Sequence, residues 1–316
     1  MNRTSNSVGH IGSAFDWGWE NLQFLRMRLQ GLQSKEADVA KLVAELDDYR
    51  SIFETATGLP FHQSSIFEVG YGARPLRLLA LISMGLNARG IDLDAPMLRA
   101  SLPDLLRVLR ANGWQRFIKS TVRALVFDAH ERKTLNRVLV RRGARLRVQA
   151  ERFLVGDVAH VSLPPASIDF VYSEDVFEHI PREALDGVCA NLARALTPQG
   201  LALISPAVFT GISGGHLVEW YPHTLKADME RRSEPWEHLR QRRFTADCFL
   251  NEMRLHEYHQ LFERHFTVAA VHNLQAGHGR SFLTEDVREE LADYGVEELL
   301  GDKWRFVLRK KNGEPT

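Results

Sequence analysis

The chain has 316 residues, of which 44% are hydrophobic and 25% charged, and its 40 Lys and Arg balance its 40 Asp and Glu. This composition is typical of a globular protein with a sizeable core, and it excludes a disordered chain. The balanced charges also exclude a strong electrostatic field from a net charge. No apolar run is long enough to span a bilayer, and the first 18 residues lack a signal-peptide core, so we expect a cytoplasmic protein.

The two cysteines, Cys189 and Cys248, lie far apart in half-apolar stretches of helical pattern. Their separation forms neither a metal-binding pair nor a redox motif. We therefore expect two buried core thiols and no metal site.

The N-terminal part of the chain has a helical pattern between Trp17 and Phe53. Leucines recur on one face over 22–32, and apolar residues recur on another face over 39–52. This pattern predicts two helices within an N-terminal extension over 1–60. They would pack against the domain at 61–316 or against a second copy in a homodimer.

The stretch 64–75 combines a strand, a glycine turn and the start of a helix. Its apolar run over 66–69 is typical of a strand, Gly70 and Gly72 follow at once, and Pro75 suits the first helical turn. Glycines let the backbone approach a ligand, and the N–H groups of a helix start favour a carboxylate or phosphate. The stretch therefore predicts a pocket for a nucleotide-like ligand.

A second strand over 88–92 ends in Asp92. The separation of Asp92 from Gly70 fits the roughly 20 residues at which an acidic residue meets a ribose diol. Asp94 competes for this role, and a solvated Asp at a strand end is the structural alternative.

A long segment over 95–150 follows and predicts a helical insertion after the second strand. From Ala95 to Arg152 there are fourteen Lys or Arg and four Asp or Glu, a net charge of 14 − 4 = +10. One interpretation is a basic lid over the site that favours an acidic or phosphorylated substrate. The other is a set of solvated helix faces balanced by the acidic stretch 285–298.

Five further strands are predicted after the insertion. They lie over 153–158, 168–173, 201–205, 266–271 and 304–308, with a helix over 185–196 closed by a turn at 197–200 and another helix over 250–262. The pattern predicts an α/β fold, with a seven-stranded Rossmann-like sheet and helices on both faces.

Six motifs in this order resemble those of class I S-adenosylmethionine-dependent methyltransferases, in particular the bacterial small-molecule type. They are Glu-Val-Gly-Tyr-Gly at 68–72, Gly-Ile-Asp-Leu-Asp at 90–94, Gly-Asp-Val at 156–158, a Leu-Pro-Pro loop at 163–165, Ile-Asp-Phe-Val-Tyr-Ser at 168–173 and Phe-Glu-His-Ile-Pro at 177–181. The resemblance covers roughly 64–205 apart from the insertion. It implies S-adenosylmethionine as the cofactor.

The resemblance also implies roles for individual residues. The methionine part of the cofactor would lie against Glu68, Gly70, Tyr71 and Gly72, the ribose against Asp92 beside Leu93, the adenine edge against Asp157 and Val158, and the sulfonium beside Ser173. Arg74 stands where the family usually has a third glycine. It would reach the cofactor carboxylate or a substrate, or else stack on Tyr71.

A hydroxyl or amine acceptor needs a group that takes its proton, and His179 is the first candidate because it follows the fourth strand. His216 is the second, with Tyr221 and His223 in the same loop. The spacing of His216, Glu219 and His223 is a weak metal signal, and we expect no metal there.

The sequence thus predicts methyl transfer to a small molecule, with O-methylation of a sugar or another biosynthetic metabolite favoured. Alternatives are an RNA methyltransferase that uses the basic insertion, a nucleotide-dependent dehydrogenase and a non-catalytic binding protein. Neither a base-flipping motif nor an RNA-binding appendage is found in the sequence, so we expect no nucleic-acid partner.

Overall fold

A computed structural model of the protein describes residues 35–98, 101, 104–106, 108–111, 129–225, 231–246 and 248–311. The strands are β1 (Ser65–Val69), β2 (Asn87–Asp92), β3 (Phe153–Val155), β4 (Ile168–Glu174), β5 (Leu196–Ser205), β6 (Phe266–Asn273) and β7 (Trp304–Lys310). They form one sheet of order β3-β2-β1-β4-β5-β7-β6. β1 to β5 are parallel, and β7 is antiparallel to both β5 and β6. All seven predicted strands are confirmed.

The start of β5 differs from the prediction. Residues 197–200, predicted as the turn that closes the preceding helix, belong to this strand, and Leu196 pairs with Ile168. The register of the two strands shifts between Ile168 and Phe170. The turn prediction was wrong because an irregular strand end can accommodate Pro and Gly, which usually indicate a turn.

Helices cover both faces of the sheet. They are α1 (Lys35–Thr57), α2 (Leu76–Ser83), α3 (Ala129–Arg141), α4 (Arg182–Ala195), α5 (Leu255–His265), α6 (Glu285–Glu290) and α7 (Val296–Leu299). Buried side chains of α4 and α5 share a core with Phe67 and Val69, whereas those of α1, α2 and α3 share another with Ile66. Neighbouring residues of β1 thus face opposite layers, as a strand requires.

The N-terminal helix α1 belongs to the core of the sheet domain. Val43, Leu46 and Phe53 are buried along it, and the ring of Tyr49 lies 5.2 Å from that of Tyr172 on β4. The predicted helix at 39–52 is therefore confirmed and packs against the sheet. The helix predicted over 22–32 lies outside the described residues, and the domain boundary at residue 60 stays a prediction.

The insertion after β2 contributes α3, which packs against α1. Arg141 pairs with Glu36 at 2.6 Å and Arg142 with Asp47 at 2.7 Å. The acidic stretch 285–298 was expected to balance the positive charge of the insertion. In the structure, acids of α1 pair with these two arginines instead. The helical insertion predicted over 95–150 is described only in part, and the basic lid stays a prediction because 112–128 lie outside the described residues.

The segment after β5 packs with α6 and α7 into a third hydrophobic cluster, which includes Ile212, Trp220, Trp236, Leu291 and Leu299. The helix predicted over 250–262 begins later, at Leu255. The side chain of Asn251 donates to the carbonyls of Phe177 at 2.7 Å and Ile180 at 3.0 Å, which fixes 250–254 as an irregular segment beside β4.

The buried carboxylate of Glu174, at the end of β4, joins the two ends of the described chain. It accepts from the Tyr49 hydroxyl at 2.6 Å and pairs with Lys303 at 2.8 Å and Arg305 at 3.0 Å. Although burial opposes ionisation, the charges of Lys303 and Arg305 outweigh it and lower the pKa of Glu174 to about 2. The carboxylate therefore stays ionised in the folded protein.

We predict that Glu174→Gln destabilises the fold at neutral pH by about 3 kcal/mol, because the buried cations lose their partner. The folded-state pKa of about 2 lies below the ordinary 4.5, so the stabilisation is present above pH 4.5 and is lost as pH falls towards 2. Urea unfolding of both proteins across this range measures the difference. Glu183→Gln, an exposed change on α4, is the control, and a constant difference across the range would contradict the prediction.

Candidate functional site

A cavity of about 750 Å³ opens where β1, β2, β3 and β4 end. It is lined by nine of the ten predicted cofactor residues, namely Glu68, Gly70, Tyr71, Gly72, Arg74, Asp92, Leu93, Asp157 and Val158. A cofactor that contacts both Asp92 and Asp157 requires these residues at the same end of the sheet, with open space between them. Both line this one cavity, so the requirement is met.

The glycine turn shapes the floor of this cavity. Gly70 has a φ of +77°, and a Cβ there would lie 2.2 Å from a methyl carbon of Val176, so no other residue fits without a shift. Gly72 has a φ of +66°, and a Cβ there would meet nothing within 4 Å. Both residues adopt the left-handed conformation that favours glycine, and Gly72 faces the open space that a ligand would fill.

The carboxylate of Asp92, at the end of β2, binds the glycine turn that follows β1. One carboxylate oxygen accepts from the Gly72 N–H at 2.8 Å, and the other accepts from the Asp94 N–H at 3.0 Å. Each oxygen retains a second acceptor site for a hydroxyl. Asp92 lines the cavity, whereas Asp94 is not among its lining residues.

Asp157 and Val158 form the wall beyond β3. The Asp157 carboxylate accepts from the Ala159 N–H at 2.8 Å and contacts Nδ1 of His160 at 2.9 Å. Leu93 stands at the rim of the cavity with 67% of its surface exposed. An apolar rim beside a strand-end carboxylate suits a flat heterocycle with polar edges.

Two charged groups lie deep in the cavity. Burial raises the pKa of Glu68 to about 7, although the nearby charge of Arg77 opposes this, and one of its carboxyl oxygens has no hydrogen-bond partner among the described residues. Arg77 pairs with Glu45 of α1 at 2.8 Å. The sequence interpretation missed Arg77. The sequence feature that could have indicated Arg77 is that it is the one charged residue in the apolar helix α2.

Two predicted residues are placed differently from the expectation. The hydroxyl of Ser173 is buried and donates to the carbonyl of Val69 at 2.9 Å, so it does not line the cavity, which Glu174 and Asp175 line instead. Arg74 lines the cavity, but its guanidinium pairs with Glu131 of α3 at 2.7 Å. This ion pair joins the glycine turn to the insertion.

A second cavity, of about 390 Å³, adjoins the first. The predicted residues His179, His216, Tyr221 and His223 all line it, together with Asp175, Glu178, Asp302 and Lys303 among others. Asp175 and His179 line both cavities. Tertiary packing thus brings the first and second candidate bases together, with 5.0 Å between the ring centres of His179 and His216.

Burial shifts the pKa values of two residues that line this cavity, His216 and Glu178. It lowers the pKa of His216 to about 4, with a further contribution from His179, so His216 is neutral near pH 7. Burial and the charge of Asp175 raise the pKa of Glu178 well above its ordinary value. Neither Glu178 oxygen makes a well-formed hydrogen bond with a described residue. The cavity therefore presents neutral hydrogen-bonding groups beside the Asp175–Lys303 pair.

The structure corrects the expectation for one of the two cysteines and shows which possible metal ligands lie close together. Cys189 is buried as predicted, but Cys248 is exposed in an irregular segment. His216, Glu219 and His223 do not form a cluster of ligand atoms among the described residues, since Glu219 is buried and accepts from the Ser233 N–H at 2.8 Å. Instead, ligand atoms of His179, His216 and Cys248 lie within 4.8 Å of one another.

Comparisons with known proteins indicate which class of protein this chain resembles. A family model described as "Methyltransferase domain" matches residues 114–204. No curated protein matches the chain.

Similar solved structures are found at low sequence identity. They include the PH0226 protein from Pyrococcus horikoshii OT3 (14% identity, covering 85% of this chain and 90% of that one, TM-score 0.42), geranyl diphosphate C-methyltransferase from Streptomyces coelicolor A3(2) (11%, 84% and 76%, TM-score 0.41) and phosphoethanolamine N-methyltransferase 2 from Haemonchus contortus (17%, 84% and 52%, TM-score 0.41). The class rests on the family match and the sheet.

The sheet order and the ligand cavity at its switch point define a Rossmann-like α/β protein. With the methyltransferase-domain match over residues 114–204, they support the resemblance of the chain to class I S-adenosylmethionine-dependent methyltransferases, whose cofactor is S-adenosylmethionine. The cavity fits this cofactor, because Gly72 faces open space, Glu68 retains a buried oxygen without a partner, and Asp92 lies one strand away from the turn.

We predict that S-adenosylmethionine binds more tightly as pH rises through about 7, the pKa of Glu68. A cationic ligand favours the ionised carboxylate, so below this pKa a bound proton must first be released. The affinity should fall about tenfold between pH 8 and pH 6. Titration calorimetry of the wild type and Glu68→Gln measures this effect. The pH profile of the variant shows how far the ionisable groups of the ligand itself change the affinity. Parallel profiles would contradict the prediction.

Proposed function

We propose that the protein transfers the methyl group of S-adenosylmethionine to a small molecule held in the second cavity. The observation that carries this proposal is the junction between the cavities, since Asp175 and His179 line both. Ligands in the two cavities would meet at these residues. A volume of about 390 Å³ is also within the range of small-molecule sites.

The first cavity supplies a group for each part of the cofactor. The glycine turn with Glu68 and Arg77 would hold the methionine part, Asp92 would accept from the ribose hydroxyls, and Asp157 with Val158 and Leu93 would face the adenine. When bound, the cofactor supplies a methyl group already activated on a sulfonium. The main task of the protein is therefore alignment, which can contribute about 7–11 kcal/mol.

The second cavity favours an acceptor with hydroxyl groups. Its described lining includes Tyr221, the neutral His216 and Glu178, whose ionised form burial disfavours. The charge of Lys303 is paired with Glu174 and Asp175. An acidic or phosphorylated acceptor would meet no unpaired cation there. The lining therefore supports O-methylation of a sugar or a similar metabolite.

His179 remains the first candidate to take the acceptor's proton. Its Nδ1–H can donate to the carbonyl of Phe249 at 2.9 Å, which would leave Nε2 as the acceptor nitrogen. His216 is the second candidate. The hydrogen bond to Phe249 fixes the ring at the junction, as a proton acceptor requires.

The structure gives the alternatives less support. Arg137, Arg141 and Arg142 of the insertion pair with acids of α1, which reduces the positive charge that this helix end offers to RNA. A non-catalytic binding protein needs only one ligand cavity, whereas Asp175 and His179 line two cavities that adjoin. A homodimer stays a prediction, as does a cytoplasmic location. No helix within the described ranges is long and apolar enough to cross a membrane.

We predict that Asp92→Ala weakens S-adenosylmethionine binding by about 10- to 100-fold, because hydrogen bonds to a carboxylate contribute roughly 1.5–3 kcal/mol. Asp94→Ala is the matched control, since Asp94 lies two residues away and outside the cavity lining. Titration calorimetry gives the affinities, and thermal unfolding shows whether the variants are folded. Equal losses in both variants would remove Asp92 from the ribose site.

We predict a methylated small molecule when the protein is incubated with labelled cofactor and a metabolite extract of the source organism. His179→Gln should slow labelling by about 100-fold or more while leaving cofactor affinity within a few-fold, because it removes a proton acceptor. Mass spectrometry identifies the product. Label in RNA alone, or no cofactor binding, would overturn the proposal.

A further inference from the structure

We propose that His179, His216 and Cys248 bind a zinc ion at the junction of the two cavities. The three residues come from separate segments, which follow β4, follow β5 and precede α5. Their ligand atoms lie within 4.8 Å of one another. The site itself rests on this geometry, whereas its part in methyl transfer rests on the proposed function.

The distances suit zinc after a small contraction. Nδ1 of His216 lies 3.8 Å from the sulfur of Cys248. In a tetrahedral site with Zn–N near 2.0 Å and Zn–S near 2.3 Å, such atoms are about 3.5 Å apart. A separation at the upper limit of 4.8 Å must close by roughly 1.5 Å. Side-chain rotation can provide this, since two of the three residues are exposed.

A hydrogen bond already orients one of the ligands. His179 can donate its Nδ1–H to the carbonyl of Phe249, the residue after Cys248, at 2.9 Å. Zinc-binding histidines usually donate their second ring N–H to a carbonyl or carboxylate, which fixes the tautomer. The same contact also holds the Cys248 segment against His179.

The surrounding charges do not oppose a cation. Asp175 and Glu178 line the cavity beside the two histidines. Lys303, the cation in this lining, is paired with Glu174 at 2.8 Å and Asp175 at 2.7 Å. One thiolate and two imidazoles are ligands that favour zinc over magnesium or calcium.

Three protein ligands leave one tetrahedral position for water or an acceptor oxygen. An acceptor hydroxyl bound there would release its proton to solvent more readily, because the ion stabilises the alkoxide. The oxygen's electron pair then forms the O–CH₃ bond while the C–S bond breaks. Its electrons return to sulfur to give S-adenosylhomocysteine. With the ion bound, His179 and His216 would act through it, and in the protein without the ion His179 keeps the role of proton acceptor.

The test uses the full chain without an affinity tag, stripped with a chelator under reducing conditions. Zinc binding is followed by titration and elemental analysis, and cobalt replaces zinc for absorption spectra. We expect one ion per chain and a thiolate-to-cobalt absorption band. Cys248→Ser should lose the band and bind at least about 100-fold more weakly. His272→Gln, which changes an exposed histidine of β6, and Cys189→Ala should behave as the wild type.

Absence of stoichiometric binding, or unchanged binding in Cys248→Ser, would overturn the ion site. The assay requires neither cofactor nor acceptor, so the two proposals fail separately. A protein without zinc affinity that still methylates a small molecule refutes the ion site alone. A protein that binds zinc but not S-adenosylmethionine refutes the methyltransferase proposal alone.

Discussion

The ionised carboxylate of Glu174 is the contact on which the site depends. Tyr49 of the N-terminal helix and Lys303 and Arg305 near the C-terminus converge on it at the end of β4. Each buried charge costs several kcal/mol unless it is paired, so the cluster is stable only when all parts are present. Because Glu174 also lines the first cavity, that wall is complete only after α1 and β7 have docked. Folding of the chain ends and formation of the site are therefore coupled.

Three carboxyl groups near the site have different pKa values because their surroundings differ. Two cations hold the pKa of Glu174 at about 2, whereas Glu68, buried beside Arg77, has a pKa of about 7. Burial and the charge of Asp175 raise the pKa of Glu178 well above the ordinary value. One side-chain type thus supplies a carboxylate that stays ionised, a group that titrates near neutrality and a group whose charged form burial disfavours. This division suits a cationic cofactor beside an acceptor that is not anionic.

The second cavity depends on loops that are fixed by buried polar contacts. The amide of Asn251 holds 250–254 against the turn after β4, and Asp302 accepts from the Ser213 N–H at 3.0 Å. The third hydrophobic cluster then anchors the same loops on α6 and α7. Variation in these loops would change the acceptor without disturbing the cofactor cavity, which is built on strand ends.

The sequence by itself determined the seven strands, the glycine turn and the two strand-end carboxylates Asp92 and Asp157, because apolar runs and the residues that end them are local signals. Ser173 shows the limit of that reasoning. Side chains alternate along a strand, so a shift of one residue puts Glu174 rather than Ser173 in the cavity. Only tertiary packing places Cys248 beside His216 and the Tyr49 hydroxyl on the carboxylate of Glu174. These pairs are 32 and 125 residues apart, and no periodic pattern in the sequence encodes contact over such separations.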